Sequence, residues 1–201
     1  MSAEVASSTA VASARSGRLV LVVGPSGAGK DTILRHLEAT LPLHADIAIA
    51  RRYITRPADP DGERHVPVTH AAYAALQSSG AFVLGWESHG LLYGIGQEIL
   101  SCLDAGMTVV VNGSRAHVKD ARARFAGSLS VVLVTASPDV LARRLAARNR
   151  ETRDEIAARL ARTAEIADDV MPDLVIRNDG DLAEAVATLR DHLLRAVMPC
   201  A

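Results

Sequence analysis

Gly24-Pro25-Ser26-Gly27-Ala28-Gly29-Lys30-Asp31-Thr32 decides how the rest of the chain is read. It follows directly on the apolar run Leu19-Val20-Leu21-Val22-Val23 and leads into Ile33-Leu34-Arg35-His36-Leu37. A buried strand that empties into a Gly-rich loop and then a helix leaves several backbone N–H groups aimed at one spot, at the positive end of the helix dipole. Glycines let that backbone wrap an anion without Cβ clashes. The expected ligand is the phosphate chain of a nucleotide, with Lys30 as a point charge for its β- and γ-phosphates. The pattern G-x-x-x-x-G-K-[ST] calls for a hydroxyl directly after the lysine, but Asp31 stands there and Thr32 comes one place later. A carboxylate is an anionic ligand where the hydroxyl is neutral, so Asp31 is a candidate to hold Mg2+ directly or through one of its waters. An ordinary Gly-rich strand-to-helix turn is the plainer alternative, and the strand before and helix after weigh against it.

At 201 residues the chain suits one domain with a substantial core, and 49% of it is hydrophobic. The formal net charge of −1 gives no bulk attraction to nucleic acid or to a membrane surface. The positive residues are nearly all Arg and many are clustered, which favours planar, bidentate recognition of phosphate at those places, while others serve as solvated helix faces. Cys102 and Cys200 are far apart and suggest neither a disulfide framework nor a metal quartet. No apolar run reaches the ~20 residues that span a bilayer. Residues 1–16 are rich in Ala, Ser and Val but lack a charged n-region and a continuous apolar stretch, so they read as a disordered tail of a cytoplasmic protein. Residues 17–201 then form a single domain.

After the first helix, expected to end near Leu41-Pro42, Ile47-Ala48-Ile49-Ala50 reads as a strand running into Arg51-Arg52-Tyr53-Ile54-Thr55-Arg56. A loop follows through Pro57, Pro60 and Gly62. The arginines at this strand end suit a phosphorylated acceptor. Val66-Pro67-Val68 is a short edge strand, and Thr69 caps a helix that closes at Gly80. Phe82 to Ser88 and Leu91 to Ile95 flank His89-Gly90 as a hairpin. The α/β alternation resumes with the apolar strand Met107 to Val111, which ends in Asn112-Gly113-Ser114-Arg115 before a helix from about Ala116. Residues just past such a strand face the ligand crevice of an open α/β sheet. Leu129 to Val134 is a further strand, and Ser137-Pro138 starts a helix carrying Arg143, Arg144 and Arg148. Asn149 and Arg150 break it before a second helix, Glu151 to Asp168. Asp173 to Arg177 is the last strand, and Asp181 opens a closing amphipathic helix.

The order of these parts resembles the guanylate kinase branch of the nucleoside monophosphate kinases from Arg18 onward. The resemblance is carried by Gly24–Lys30, Thr55-Arg56, Phe82 through Tyr93-Gly94, Arg144-Leu145 with Arg148, Ile156 with Arg159-Leu160, and Val175 to Asp179. It implies an α/β fold of the P-loop nucleoside-monophosphate-kinase-like, three-layer type: a parallel core sheet, a small β-rich acceptor lobe at about 51–95 and a helical lid at about 148–160. In guanylate kinases two acidic residues read the guanine. Counting from Phe82 to Gly94 puts the first at Leu84, and aligning the strand that ends at Val111 puts the second at Ser114. A second phosphate-binding arginine, expected soon after Arg56, falls at Asp59. A base pocket without its polar partners loses discrimination, so guanine is not the expected acceptor.

These departures are similar to the ribose 1,5-bisphosphate phosphokinases, enzymes of bacterial phosphonate breakdown that make 5-phosphoribosyl 1-diphosphate. The shared features are Gly-Pro-Ser-Gly-x-Gly-Lys-Asp, Arg52 to Arg56, Gly90-Leu91-x-Tyr93-Gly94 and Val110 to His117. The resemblance implies Mg2+ as cofactor, ATP as co-substrate and a small sugar phosphate as acceptor, in a monomer or homodimer that needs no nucleic acid or membrane. Lys30, Arg148 and Arg159 are then the catalytic candidates, the last two as lid arginines. Gly24, Pro25, Ser26, Gly27, Ala28, Gly29, Lys30, Asp31 and Thr32 bind ATP. Arg52, Arg56, Tyr93 and Arg115 bind the acceptor. Asn112, where a Walker B-type carboxylate handles Mg2+ through water, lies behind the metal, with Asp31 supplying the missing charge. The plainer alternatives are a helix C-terminal cation for Arg148, a surface residue for Arg159, and ion pairs for Arg56, with Asp59 or Asp61, and for Arg115. The competing functions are a nucleoside monophosphate kinase and a non-catalytic binding module of the same fold. Such a module has no need of Gly29, Lys30, Arg148 and Arg159, all of which are present.

Overall fold

The computed structural model describes residues 17–42, 45–58, 63–147 and 170–195. The expected tail at 1–16, the lid at about 148–160 with Arg148 and Arg159, the helix Glu151 to Asp168, and Cys200 lie outside the described residues. Among the described residues the strands form two sheets. The core sheet has the order β2-β7-β1-β8-β9 and is parallel throughout: β2 (Ile47–Ile49), β7 (Thr108–Asn112), β1 (Arg18–Val23), β8 (Leu129–Thr135) and β9 (Leu174–Arg177). Parallel strands need crossovers, and α1 (Lys30–Thr40), α4 (Val118–Arg124), α5 (Pro138–Ala146) and α6 (Leu182–Arg195) lie beside the sheet.

The period-two geometry of a strand explains the layers. Val20 and Val22 of β1 face Ile33 and Leu37 of α1 and Leu189 and Leu193 of α6 in one buried cluster. Leu19, Leu21 and Val23 face the other way, against Val118, Ala121 and Phe125 of α4 and its margin, and Ile99 of α3 (Glu98–Asp104). A strand apolar on both faces is what a sheet covered on both sides requires. Each fully buried Val or Leu contributes ~1.5–3 kcal/mol relative to exposure, so the sheet's position is strongly fixed.

The second sheet, β4-β3-β6-β5, is the small lobe: β4 (Val66–Pro67), β3 (Arg52–Ile54), β6 (Leu91–Gly96) and β5 (Phe82–Ser88). The β5–β6 turn is His89-Gly90, with φ of 52° and 72°. Positive φ at both central residues matches the right-handed twist of a hairpin. The capping hydroxyl of Thr69 accepts from Ala72 N at 3.1 Å and starts α2 (His70–Ser78), and Val66–Pro67 is an edge strand as its proline requires. Two details differ from the sequence reading. Arg52–Ile54 is a strand of the second sheet, antiparallel to β6, and not merely the end of β2. After β7 the chain first makes a 3₁₀ turn, Arg115–His117, and α4 starts at Val118.

Candidate active site

The Gly-rich loop joins the carboxyl end of β1 to α1, and its glycines are required by space as well as by φ. Gly24 has φ 150° and a Cβ there would lie 1.9 Å from Val134 O; Gly29 has φ 93° and its Cβ would lie 2.4 Å from Asn178 Nδ2. Neither position admits an L side chain without moving its neighbours. Asn178, 5% exposed, donates from Nδ2 to Ala28 O at 2.8 Å, and Arg144 approaches Gly27 O at 3.5 Å. Asn178 is thus a strut of the loop. Lys30 Nζ donates to Gly24 O at 2.7 Å and to Pro25 O at 3.1 Å, so the ammonium is folded back over the cradle where phosphate oxygens would sit.

A cleft of about 380 Å³ opens in front of the loop. Its lining includes Gly24, Pro25, Ser26, Lys30 and Asp31 from the loop and α1, Arg52, Arg56, Glu63 and Tyr93 from the small lobe, and Asn112 and Arg115 from the end of β7. Every described residue expected to be catalytic, to hold metal or to bind the acceptor is therefore in one cavity. Of the expected ATP contacts, Ala28 is fully buried, and Gly27, Gly29 and Thr32 are also not part of that lining.

Asp31 and Asn112 meet although 81 positions apart, with Asn112 Nδ2 donating to Asp31 Oδ1 at 2.5 Å. Asn112 is 3% exposed, and its Oδ1 is buried without a hydrogen-bond partner among the described residues. An orphaned buried carbonyl beside a half-exposed carboxylate is a hard, oxygen-only donor set of the kind Mg2+ or its bound waters would satisfy. Arg52 lies 3.6 Å from the same carboxylate. Its guanidinium also stands over the Tyr93 ring, 5.1 Å from the centroid, and its fork is gripped by both oxygens of Glu63. Tyr93 stacks on Trp86 with centroids 5.4 Å apart and planes 4° apart, the cross-strand pair of the hairpin. Burial pushes the Tyr93 hydroxyl above its ordinary value of 10, against the pull of Arg52 and Arg56, so it remains an O–H donor.

Arg56 is held by His65. The His65 ring lies 3.1 Å from Arg56 O and 3.5 Å from its guanidinium, while Arg56 Nε is buried without a partner among the described residues. An unsatisfied donor on a half-buried cation at the cleft wall fits an anion arriving there. Burial likewise lowers the Arg115 pKa from its ordinary value; this half-buried cation shares the cleft lining with Asn112. A second cavity of about 470 Å³ shares Trp86, Gly113 and Ser114 with the first and is lined further by Leu21, Leu84 and His117. Leu84 and Ser114 therefore face one space, and neither brings a carboxylate to it.

The family model for guanylate kinase matches residues 16–196. Ribose 1,5-bisphosphate phosphokinase PhnN of Acidiphilium cryptum (strain JF-5) is 52% identical over 187 residues, 92% of this chain and 98% of the relative. The chain belongs to the ribose 1,5-bisphosphate phosphokinases, within the guanylate kinase family. Relatives of the same name from Pantoea vagans (strain C9-1) and Thiobacillus denitrificans (strain ATCC 25259 / T1) are 47% and 46% identical, over 88% and 83% of this chain and 97% and 87% of theirs. The crystal structure of guanylate kinase from Anaplasma phagocytophilum shares the fold, with a TM-score of 0.70 at 18% identity, covering 93% of this chain and 89% of that one.

Sequence reasoning missed Glu63 in this ribose 1,5-bisphosphate phosphokinase cleft, and Asn178 and Arg144 as braces of its loop. Glu63 gave no signal because an acidic residue runs against the logic of an anion site. Asn178 and Arg144 reach the loop across 150 and 117 positions, a separation that a linear motif does not carry.

Proposed function

We propose that this chain transfers the γ-phosphoryl group of ATP to the 1-phosphate of ribose 1,5-bisphosphate, giving ADP and 5-phosphoribosyl 1-diphosphate. The observation that carries the reading is the convergence of Lys30, Asp31, Arg52, Arg56, Tyr93, Asn112 and Arg115 on one cleft at the carboxyl end of β1 and β7. The curated relatives' name for their acceptor supplies the substrate, and Leu84 and Ser114 support it by bringing no carboxylate to the cavity they share; the acidic residue that lines it, Asp120, is turned to His117.

The nucleophile is a phosphate oxygen, already ionised near neutral pH, so no base has to remove a proton. What the protein supplies is position and charge neutralisation, the dominant contributions to phosphoryl transfer. The loop amides and Lys30 hold the β- and γ-phosphates, the ammonium exchanging its present carbonyl partners for phosphate oxygens. Arg56 and Arg115 bind the acceptor phosphate, with Tyr93 donating its hydroxyl hydrogen. Asp31 and Asn112 would hold Mg2+, Asp31 as the charged partner and Asn112 through its unpartnered Oδ1. When bound, the ion would supply neutralisation of the phosphate charge. Arg148 and Arg159 are proposed as lid arginines that close on the transferring group, a role worth ~10³–10⁵ in rate in such enzymes.

The test is an ADP-release assay with Mg-ATP and, side by side, ribose 1,5-bisphosphate, ribose 5-phosphate, GMP and AMP. Turnover with the bisphosphate and 5-phosphoribosyl 1-diphosphate in the product support the reading. Turnover with GMP in its place overturns it. Among the described residues no helix is long and apolar enough to cross a membrane. We propose a cytoplasmic protein acting on small molecules as a monomer or homodimer.

A further inference from the structure

Glu63 is a carboxylate inside a cavity built for anions. It lines the cleft beside Arg52, Arg56 and Arg115, and only 15% of its side chain is exposed. Two polyanionic substrates must enter that cleft, and a buried negative charge opposes both, by an amount that low dielectric enlarges. One service of Glu63 is visible: it fixes the fork of Arg52, with one N–H going to each carboxylate oxygen. That does not exhaust it. An ionised carboxylate has about four acceptor sites, so each oxygen retains one after the guanidinium is served.

The acceptor proposed above carries hydroxyls as well as phosphates. In ribose 1,5-bisphosphate the 2-hydroxyl is on the carbon next to the one bearing the 1-phosphate. A group adjoining the phosphate-binding arginines therefore meets that hydroxyl before any other on the sugar. Cations cannot recognise an O–H as a donor, whereas a carboxylate accepts from it. Within the cleft the carboxylates are Asp31, Glu63 and Glu87. Asp31 is turned to Asn112, and Glu87 is exposed on β5, so Glu63 is the buried acceptor on the small-lobe wall. Arg52 pairs with its charge, so no bare anion is left against the incoming phosphate.

We infer that Glu63 is a specificity residue that reads the 2-hydroxyl of the acceptor sugar, accepting its hydrogen bond in the bound complex and so distinguishing ribose from 2-deoxyribose bisphosphates. This rests on the ribose 1,5-bisphosphate reading above. The wall that grips the phosphate through Arg56 and Tyr93 thereby also grades the sugar attached to it. Replacing the hydroxyl by hydrogen leaves a desolvated carboxylate lone pair facing a C–H, which a site built for the hydroxyl penalises.

The experiment compares kcat/KM for ribose 1,5-bisphosphate and 2-deoxyribose 1,5-bisphosphate, in the full chain and in Glu63→Gln and Glu63→Ala. Because the ratio is taken within one preparation, a fraction of misfolded protein cancels, and the Gln variant is isosteric should Ala perturb the lobe. The unmodified protein is expected to prefer ribose by roughly ten- to hundredfold, the range for a hydrogen bond to a charged group. Both variants are expected to bring that preference to within about threefold, with the loss falling on ribose more than on 2-deoxyribose. An equal loss on both acceptors, leaving the ratio as it was, overturns the inference and makes Glu63 a holder of Arg52 alone. No turnover of either bisphosphate by the unmodified protein, with GMP accepted instead, overturns the acceptor reading itself and this inference with it.

Discussion

Tyr93 separates two roles within one side chain. Its ring fills the space between Trp86 and the Arg52 guanidinium, and its hydroxyl, whose pKa burial raises above its ordinary value, is the donor available to an acceptor phosphate. Tyr93→Phe preserves the ring contacts and removes only the donor. We expect a fall of roughly tenfold or more in kcat/KM for the acceptor, with a thermal midpoint close to that of the unmodified protein. A change under about twofold rejects a role for the hydroxyl. Asp31 invites a sharper substitution, because Asp31→Ser restores the hydroxyl that the phosphate-loop pattern ordinarily places after the lysine. Here the serine would face Asn112, with no carboxylate left in the pair, so the Mg2+ concentration for half-maximal ADP release should rise roughly tenfold, about 1.4 kcal/mol. The double variant Asp31→Ser, Asn112→Asp puts the carboxylate on the strand and the hydroxyl on the helix, and should recover most of the loss. An unchanged Mg2+ requirement in the single variant means the pair does not hold the ion.

At the scale of elements, the phosphate loop works because three others brace it. β8 limits Gly24 through Val134 O, α5 reaches Gly27 through Arg144, and the residue after β9 holds Ala28 through Asn178. Asn178→Ala removes the donor to Ala28 O and opens space beside Gly29, so the loop loses its shape before the fold loses its core. We expect ~1–3 kcal/mol of destabilisation in urea and a weaker affinity for ATP, measured by titration without acceptor. Full ATP affinity in a destabilised variant would show that the loop holds its form without the strut. This dependence also explains what was legible in the sequence. Strands, caps and the hairpin announce themselves locally: Thr69 and Ser137-Pro138 start helices, and His89-Gly90 turns with positive φ at both positions. The loop and its lysine are equally local. β3 was not legible as a separate strand, since Arg52–Ile54 is three residues among arginines and exists through its pairing with β6. Asp31 against Asn112 was expected from chemistry, whereas Glu63 on Arg52 needed tertiary structure, because only a partner explains a carboxylate among cations.

The fold places its chemistry and the titratable packing of His192 at opposite ends of the sheet. The cleft is at the carboxyl ends of β1 and β7, while His192 of α6 meets the amino end of β1, at Arg18, and the start of β8, at Ser130. Its ring nitrogen lies 3.3 Å from the Arg18 guanidinium and 3.1 Å from Ser130 Oγ. Burial lowers the His192 pKa from 6.5, the Arg18 and Arg195 charges lower it further, and Asp173 opposes them. The folded protein therefore prefers the neutral ring, and the unfolded chain takes up the proton first as pH falls. Protonation then pulls toward unfolding: stability is intact above the ordinary histidine value of 6.5 and declines as pH drops from there toward the lowered folded value. We expect the urea midpoint to fall between pH 7 and pH 5.5 ~, and the decline to flatten in His192→Gln, which keeps a polar partner for Ser130 without a titrating charge. Because carboxylates titrate lower still, the part of the decline that disappears in the variant is the part assigned to His192. A variant whose stability falls with pH as steeply as the unmodified protein would remove His192 from the account, and kcat at pH 7 should be the same in both, since His192 lies at the amino ends of β1 and β8, away from the cleft.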